Sequence, residues 1–296
     1  MRVGFIGIGN MGWPMAANMV RAGVELIVYD RDPERVAGFA REHHSLGARS
    51  LSELAAATVI VTMLPTGQDV RNVLLSGEGG LVRHLTKGSL LIDMSSSEPF
   101  GTRSLGATLA EHGILMMDAP VSGAVPRARE ATLAIMYGCD DPSVPARAQP
   151  LLATMGKQLF ATGGLGTGHA MKALNNFIGG ATFAAVSEAV LIGQRFGLDP
   201  EKMVDILNAS TGRSFITELA MKQHVLNGRF ASGFQLGLLA KDVKIAADLG
   251  RAVRLDAPLT QLVSARWALA RERLGAQRDN TEAIRAWGDE LTGSGD

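Results

Sequence analysis

The chain has 296 residues, a length that suits two domains better than one. Its 29 basic and 29 acidic residues give a formal net charge of zero, so nucleic acid is not expected as a partner. Hydrophobic residues make up 46% and charged residues 20%, which is typical of a soluble globular protein with a large core. The single cysteine, Cys139, excludes an internal disulfide and fits a reducing compartment.

The first predicted strand, at residues 3–6, leads into the sequence GIGNMG and then into an Ala- and Met-rich helical stretch. Gly-x-Gly-x-x-Gly between a strand and a helix is the fingerprint of a dinucleotide site. Gly7 allows a tight turn, Gly9 lets the backbone approach a pyrophosphate, and Gly12 lets the helix pack closely on the sheet. The sequence therefore predicts a nicotinamide cofactor at this loop.

Further cofactor contacts are expected on both sides of the first helix. Asn10 and Met11 precede a helix N-terminus, whose amides and partial positive charge suit phosphates. A second strand at residues 25–29 ends at Asp30, where a carboxylate binds the ribose hydroxyls of NAD and repels a 2′-phosphate. Arg31 follows, and its guanidinium would suit a 2′-phosphate instead. The pattern favours NAD over NADP and leaves both open.

Strand-like and helix-like segments alternate over the rest of the first half. The predicted helices lie at 33–42, 67–75, 99–112 and 142–155, and the predicted strands at 59–63, 89–93, 114–118, 133–137 and 158–161. The alternation predicts an α/β fold, with a doubly wound Rossmann domain over residues 1–163. Ligands of such sheets bind at the carboxyl ends of the strands, where Leu64, Pro65 and Ser96 also lie.

Four glycines within residues 162–168 mark a boundary, beyond which strand signals vanish. Helices are predicted at 169–196, 200–209, 215–227, 234–252, 257–273 and 279–291. An all-helical second domain, residues 164–296, is therefore expected behind a long interdomain helix. Polar residues interrupt the apolar stretch of this long helix, which favours a buried helix over a membrane span. No signal peptide pattern opens the chain, so a cytoplasmic location is expected.

The long helix carries Lys172 and Asn176 four positions apart, which places an ammonium and a carboxamide on one helix face. A solvated lysine and an asparagine bonded to its neighbours would give the same spacing. The spacing alone therefore does not assign chemistry. The six histidines show no metal-ligand spacing, and no metal site is predicted.

Six motifs occur in order along the chain. They are GIGNMG at 7–12 with PMAAN at 14–18, MLP at 63–65, DMSS at 93–96, DAPVSG at 118–123, GTGHAMKALNN at 166–176 and KD at 241–242. Together they resemble the β-hydroxyacid dehydrogenase family, which includes 3-hydroxyisobutyrate dehydrogenase, tartronate semialdehyde reductase and, more distantly, 6-phosphogluconate dehydrogenase. The resemblance covers essentially the full chain.

The resemblance implies roles for the residues of these motifs. Lys172 would be the general acid/base, taking the hydroxyl proton while hydride leaves for the nicotinamide, and Asn176 would hold the substrate in register. Such a lysine is a poor base at its ordinary pKa of about 10.4, so desolvation and nearby positive charge are expected to lower that pKa. Ser122 and Gly123 would form the turn that binds the substrate carboxylate.

Other positions would complete the site. On the cofactor side, Ser96 would lie beside the nicotinamide ribose, Leu64 and Pro65 would line the cofactor path, and Lys241 would supply positive charge. Arg213, Phe215 and Phe234 are the residues expected to shape the substrate side-chain pocket; Phe215 stands where the family often has Trp.

The resulting prediction is NAD-dependent oxidation of a small β-hydroxy carboxylate to its semialdehyde. An NADPH-dependent semialdehyde reductase and a non-catalytic dinucleotide-binding protein are the alternatives. The apolar circumference of the long helix and the resemblance both predict a homodimer or homotetramer, with no membrane partner.

Overall fold

The computed structural model describes residues 2–288, apart from the side chain of Glu78. The chain forms two compact units, one ending at Lys172 and the other beginning at Ala173. This division lies later than the one predicted after residue 163. The reason is that the main-chain N–H groups of Gly166 and His169 donate to Asp118 within the first unit, which attaches the start of the long helix to it.

A nine-stranded sheet forms the centre of the described part of the first unit. Its strands are β1 Arg2–Ile6, β2 Glu25–Tyr29, β3 Leu46–Gly47, β4 Val59–Thr62, β5 Leu90–Asp93, β6 Leu115–Asp118, β7 Val121–Ser122, β8 Leu133–Gly138 and β9 Gly156–Gly163. The order is β3-β2-β1-β4-β5-β6-β8-β7, with β9 also pairing β8. The first six strands run parallel, whereas β8 is antiparallel to β6 and β7. The predicted doubly wound sheet is confirmed.

Helices cover both faces of this sheet. They are α1 Gly12–Arg21, α2 Pro33–His43, α3 Gly67–Leu75, α4 Pro99–Glu111, α5 Ala124–Arg129 and α6 Val144–Leu152. Strand side chains alternate between two hydrophobic cores, as the period of a strand requires: Val3 and Phe5 belong to one core, and Ile6 belongs to the other. The strand order reverses between β1 and β4, so the loop after β1 lies at the switch point where doubly wound sheets bind nucleotides.

The second unit is helical throughout its described residues. Its elements are the part of α7 (Thr167–Phe196) from Ala173 onward, α8 Pro200–Asn208, a π-helix Ile216–Val225, α9 Leu236–Ala252, α10 Pro258–Leu274, a 3-10 turn Asn280–Glu282 and α11 Ala283–Gly288. Phe183, Trp267 and Trp287 pack together in its core in tilted and edge-to-face arrangements, with ring centroids 5.3–5.9 Å apart. The predicted all-helical character is confirmed for residues up to 288, and the end of the helix predicted at 279–291 lies outside the described residues.

By length and composition α7 is apolar enough to cross a membrane, a test that core helices of soluble proteins also pass. Its Phe183 is 2% exposed and packs on Trp267 within the second unit, as expected of a core helix.

Candidate active site

The glycine loop after β1 shows three different steric situations. Gly7 has φ +92°, and a Cβ there would lie 2.4 Å from the Met63 carbonyl oxygen. A Cβ on Gly12 would lie 1.9 Å from the Gly7 carbonyl oxygen, so only glycine lets α1 start this close to the strand. A Cβ on Gly9 would meet no atom within 4 Å. Gly7 and Gly12 are therefore required by the fold, whereas Gly9 leaves open space of the kind a pyrophosphate needs.

The start of α1 is suited to an anion. Met11 occupies its N-cap position, and among the described side chains none caps this helix. By contrast, the Asp32 carboxylate caps α2 by accepting from the main-chain N–H groups of Glu34 and Arg35. Within the first turn of α1, Pro14 has no N–H and the Trp13 N–H donates to the Gly9 carbonyl oxygen at 2.9 Å, so the Gly12 N–H is the donor that a phosphate would use there. Asn10, in the loop just before it, is exposed.

Asp30 is held at the carboxyl end of β2 and is nearly inaccessible, with a side chain 7% exposed. Its Oδ2 accepts from the Ile8 main-chain N–H at 3.0 Å, which ties it to the glycine loop. Its Oδ1 accepts from the Asp32 N–H at 3.0 Å and from Arg35 Nη1 at 3.1 Å. The Arg35 guanidinium therefore offsets part of the carboxylate charge, a pairing that the sequence analysis missed.

A cleft of about 610 Å³ opens beside Asp30 between β2, β3 and α2. Arg31 and Arg49 both line it, together with Tyr29 and Val36. Its volume is in the range of small-molecule sites. The cleft thus brings the guanidinium groups of Arg31 and Arg49 to the place where the adenosine end of a dinucleotide would lie. Arg49 belongs to none of the sequence motifs and was not predicted there.

The loops that follow β4 and β5 are joined to each other. The Leu64 main-chain N–H donates to Ser95 Oγ at 2.9 Å, so the segment with Pro65 is tied to the segment with Ser96. Asp93 fixes the second loop: its Oδ1 accepts from the Ser95 N–H at 3.0 Å, and its Oδ2 accepts from Ser97 Oγ at 3.0 Å. The predicted cofactor-lining residues thus come together at one sheet edge.

The turn after β7 has the backbone geometry that only glycine adopts easily. Gly123 has φ +136°, and a Cβ there would lie 2.7 Å from Arg127 Cβ. Ser122, at the end of β7, pairs with Ala134 and is half-buried. A half-buried hydroxyl at this turn suits the predicted carboxylate contact.

A buried polar cluster lies where α7 begins. Both oxygens of Asp118 accept main-chain N–H groups, from Gly166 at 2.7 Å and from His169 at 2.7 Å. Burial raises the pKa of the Asp118 carboxyl above its ordinary value of 3.8, an effect partly offset by His169 and by these two hydrogen bonds. Lys172 lies one turn further along α7 and is half-buried.

In the second unit, Asp242 brings two predicted site residues together. Asn176 Nδ2 donates to Asp242 Oδ2 at 2.6 Å, and Lys241 Nζ lies 3.2 Å from Asp242 Oδ1. Asp242 itself is 2% exposed. No local pattern assigns a role to Asp242, because its partner Asn176 is 66 positions away in the chain.

The three residues expected to shape the substrate side-chain pocket have different surroundings. Arg213 forms an exposed ion pair with Glu218. Phe215 is 71% exposed at the start of the π-helix, and Phe234 is half-buried against the helical core. Their assignment to a pocket stays a prediction.

Comparison with known proteins assigns both halves of the chain. Residues 2–164 match the family model described as the NAD binding domain of 6-phosphogluconate dehydrogenase. Residues 166–287 match the one described as NAD-binding of NADP-dependent 3-hydroxyisobutyrate dehydrogenase. The chain belongs to the β-hydroxyacid dehydrogenase family.

Named dehydrogenases of this family match it over nearly full length. The 2-(hydroxymethyl)glutarate dehydrogenase of Eubacterium barkeri is 33% identical over 99% of this chain and 96% of its own. The 3-hydroxyisobutyrate dehydrogenase of Pseudomonas aeruginosa is 35% identical over 88% of this chain and 89% of its own. The structure of Mycobacterium tuberculosis 3-hydroxyisobutyrate dehydrogenase with L-serine is 32% identical, with TM-score 0.86 over 97% of this chain and 98% of its own.

The family membership confirms the predicted fold and reaction class. This β-hydroxyacid dehydrogenase is an oxidoreductase with an NAD(P)-binding Rossmann domain. Neither the family models nor the relatives distinguish NAD from NADP for this chain.

Proposed function

We propose that the protein oxidises a small β-hydroxy carboxylate, similar to 3-hydroxyisobutyrate, to its semialdehyde, with NAD as acceptor and Lys172 as general acid/base. The observation that carries this proposal is the start of α7. Asp118 binds that start at the edge of the sheet where nucleotides bind, and Lys172 and Asn176 follow on one face of the helix.

The cofactor, when bound, accepts the hydride that leaves the carbinol carbon. The chain supplies the remaining functions. The Gly12 N–H at the start of α1 would donate to the phosphates, and the open side of Gly9 would admit them. Lys172 Nζ would take the hydroxyl proton during oxidation, and in the reverse direction its ammonium would protonate the carbonyl oxygen.

The substrate is held by different groups. Ser122 and the main-chain N–H groups around Gly123 would bind its carboxylate. A hydroxyl and N–H groups at a turn can donate hydrogen bonds to an anion without the help of an arginine. Asn176 Nδ2 donates one hydrogen to the buried Asp242, and Asn176 Oδ1 accepts from Asn175 Nδ2, so the second hydrogen of Nδ2 is the one that Asn176 would present to the substrate.

NAD is the proposed acceptor because Asp30 lies at the end of β2, where a carboxylate binds a ribose hydroxyl. One observation favours the second candidate, an NADPH-dependent semialdehyde reductase. Arg35 pairs with Asp30, and Arg31 and Arg49 line the adjoining cleft. Initial rates with each cofactor separate the two candidates, and a preference for NADPH above about tenfold, or about 1.4 kcal/mol, would overturn the choice of NAD.

The substrate class is tested by a turnover screen with NAD⁺ and NADP⁺. The acids are 3-hydroxyisobutyrate, D- and L-glycerate, L-serine, L-threonate and γ-hydroxy acids. We expect cofactor reduction with at least one β-hydroxy acid. Turnover with γ-hydroxy acids alone would contradict the proposed substrate class, and binding of cofactor without any turnover would favour a non-catalytic dinucleotide-binding protein.

We also propose a homodimer or homotetramer, in which a second copy covers exposed apolar side chains of the helical unit. Ile192 and Phe196 on α7 are 70% and 84% exposed, and Leu262 on α10 is 62% exposed. A second copy that packs on α7 and α10 would remove these side chains from water. Size-exclusion chromatography with light scattering should give a multiple of 31.2 kDa, and a monomer would contradict the proposal. A cytoplasmic location, supported by the single cysteine, is proposed with it.

A further inference from the structure

A carboxylate that takes no part in the proposed chemistry occupies the centre of the first unit. Asp118 is fully buried at the end of β6, and removing its carboxylate from water is costly unless hydrogen bonds compensate. Both oxygens are used: Oδ1 accepts the Gly166 N–H and Oδ2 accepts the His169 N–H, each at 2.7 Å. Such charge-assisted bonds at a helix N-terminus are among the stronger ones in proteins.

The space around this carboxylate is filled by backbone. A Cβ on Gly138 would lie 2.9 Å from Asp118 Oδ1 and 2.5 Å from the Gly164 carbonyl oxygen. A Cβ on Gly168 would lie 2.8 Å from Asp118 Oδ2 and 2.6 Å from the Met136 carbonyl oxygen. The first turn of α7 is therefore packed against β8 and Asp118 so closely that neither Gly138 nor Gly168 has room for a side chain.

His169 adds a second attachment. Its ring is 1% exposed, and Nδ1 lies 2.8 Å from Thr102 Oγ1 on α4. Nε2 lies 3.7 Å from Asp93 Oδ2, the carboxylate that also fixes the loop carrying Ser96. Among residues 2–288, no group of three or more His, Cys, Asp or Glu side chains has the arrangement of a metal site, so we interpret this cluster as an attachment rather than a metal ligand set.

We propose that Asp118 is a positioning residue: by binding the first turn of α7, it holds Lys172 in register with the turn at Ser122 and Gly123. The geometry supports this role because Asp118 ends β6, four positions before Ser122, while its oxygens bind α7 one turn before Lys172. Asp118 thus connects the first turn of α7, which its side chain binds, to the strand whose chain continues into the turn predicted to bind the substrate carboxylate. The inference rests on the proposed role of Lys172.

The first test compares Asp118→Asn with Asp141→Asn. Asp141 is the surface control: it also accepts a main-chain N–H just before a helix, from Ser143 at 2.8 Å, but in an exposed position, and α6 carries no site residue. Active sites are counted by NADH fluorescence, and kcat is expressed per cofactor-binding site. A displacement of about 1 Å can cost about 100-fold in rate, so we expect Asp118→Asn to lower kcat by about 10- to 100-fold. Asp141→Asn should stay within about twofold.

A kinetic isotope effect separates positioning from a loss of folded enzyme. With 3-hydroxyisobutyrate deuterated at its carbinol carbon, the isotope effect on kcat should be as large in Asp118→Asn as in the wild type, or larger, since the chemical step is slowed. The dissociation constant of NADH should stay within about threefold, since β4 and β5 lie between β6, which Asp118 ends, and β1, which leads into the glycine loop. A kcat per site within twofold of the wild type would overturn the proposal.

A second variant and a measurement on the wild type cover the remaining outcomes. Gly168→Ala displaces the same turn without removing a charge, and it should lower kcat per site in the same way; a folded Gly168→Ala enzyme with full activity would overturn the proposal. In the wild type, the Gly166 and His169 amides should exchange hydrogen as slowly as those of the central strands. Fast exchange of these two amides would show that Asp118 does not hold the first turn of α7. This measurement needs no substrate, so it tests the inference even if every hydroxy acid in the screen fails and the proposed function is wrong.

Discussion

Replacing Gly9 with alanine should weaken cofactor binding and leave the fold intact. A Cβ at this position meets no protein atom within 4 Å, and Gly9 is not among the residues with positive φ. Alanine is therefore tolerated by the backbone, and the loss of unfolded-state entropy would raise the free energy of unfolding by about 0.4–1 kcal/mol at most. The added methyl group instead occupies the space a pyrophosphate would enter.

The magnitude follows from the bonds that the loop amides would make to a phosphate. A hydrogen bond to a charged group contributes about 1.5–3 kcal/mol. Losing one of them would raise the dissociation constant of NADH by about 10- to 150-fold, at 1.4 kcal/mol for each factor of ten. Fluorescence titration of NADH measures this change, and thermal melting followed by circular dichroism measures stability.

Two other glycines serve as controls. A Cβ on Gly79 also meets no atom within 4 Å, so Gly79→Ala should leave the dissociation constant of NADH unchanged and should raise the free energy of unfolding by the same small amount as Gly9→Ala. Gly12→Ala places its methyl 1.9 Å from a carbonyl oxygen and should lower the free energy of unfolding by about 1–3 kcal/mol. If Gly9→Ala bound NADH as tightly as the wild type, the cofactor would not approach the loop as described.

Three further outcomes are expected. Burial and neighbouring carboxylates raise the pKa of the Cys139 thiol above 9.0, so iodoacetamide should alkylate it more slowly at pH 8 in the native protein than in urea; equal rates would contradict this. The native Asp118 carboxyl binds its proton more tightly than the unfolded one, so its contribution to the free energy of unfolding falls as pH rises from about 3.8 through its raised pKa. Urea melts of wild type minus Asp118→Asn should show that negative slope, and a positive slope would refute the reasoning. Asp242→Asn weakens the contacts to Asn176 and Lys241 and should lower the free energy of unfolding by about 1–3 kcal/mol. An unchanged midpoint of urea unfolding, with an unchanged m-value, would argue against these contacts.

The parts of the fold that depend on local sequence could be predicted. The glycine loop, the strand at Glu25–Tyr29 and the helix at Gly67–Leu75 are set by neighbouring residues, through turn chemistry and apolar periodicity. The two-residue strands Leu46–Gly47 and Val121–Ser122 were not predicted, because they depend on pairing with β2 and β8 rather than on a pattern of their own.

The candidate site was predictable where a motif marks it and not where a distant residue completes it. Lys172 and Asn176 are predicted as site residues from the family resemblance, and their spacing places them on one helix face. The proposed positioning role of Asp118 depends on hydrogen bonds from residues 48 and 51 positions away in the chain. The bond from Asn176 to Asp242 joins residues 66 positions apart. The pairing of Arg35 with Asp30 was not predicted for another reason. Arg35 lies in α2, and an arginine in such a helix is ordinarily expected at the surface without a specific partner.

The most direct test of the account is the turnover of Lys172→Met with the best hydroxy acid from the substrate screen. Methionine keeps much of the side-chain length but cannot carry the proton. General acid–base catalysis contributes about 100- to 10,000-fold, so kcat per NADH-binding site should fall by that factor while the dissociation constant of NADH stays within about threefold. A loss below about tenfold would show that Lys172 is not the proton acceptor and would contradict the proposed mechanism.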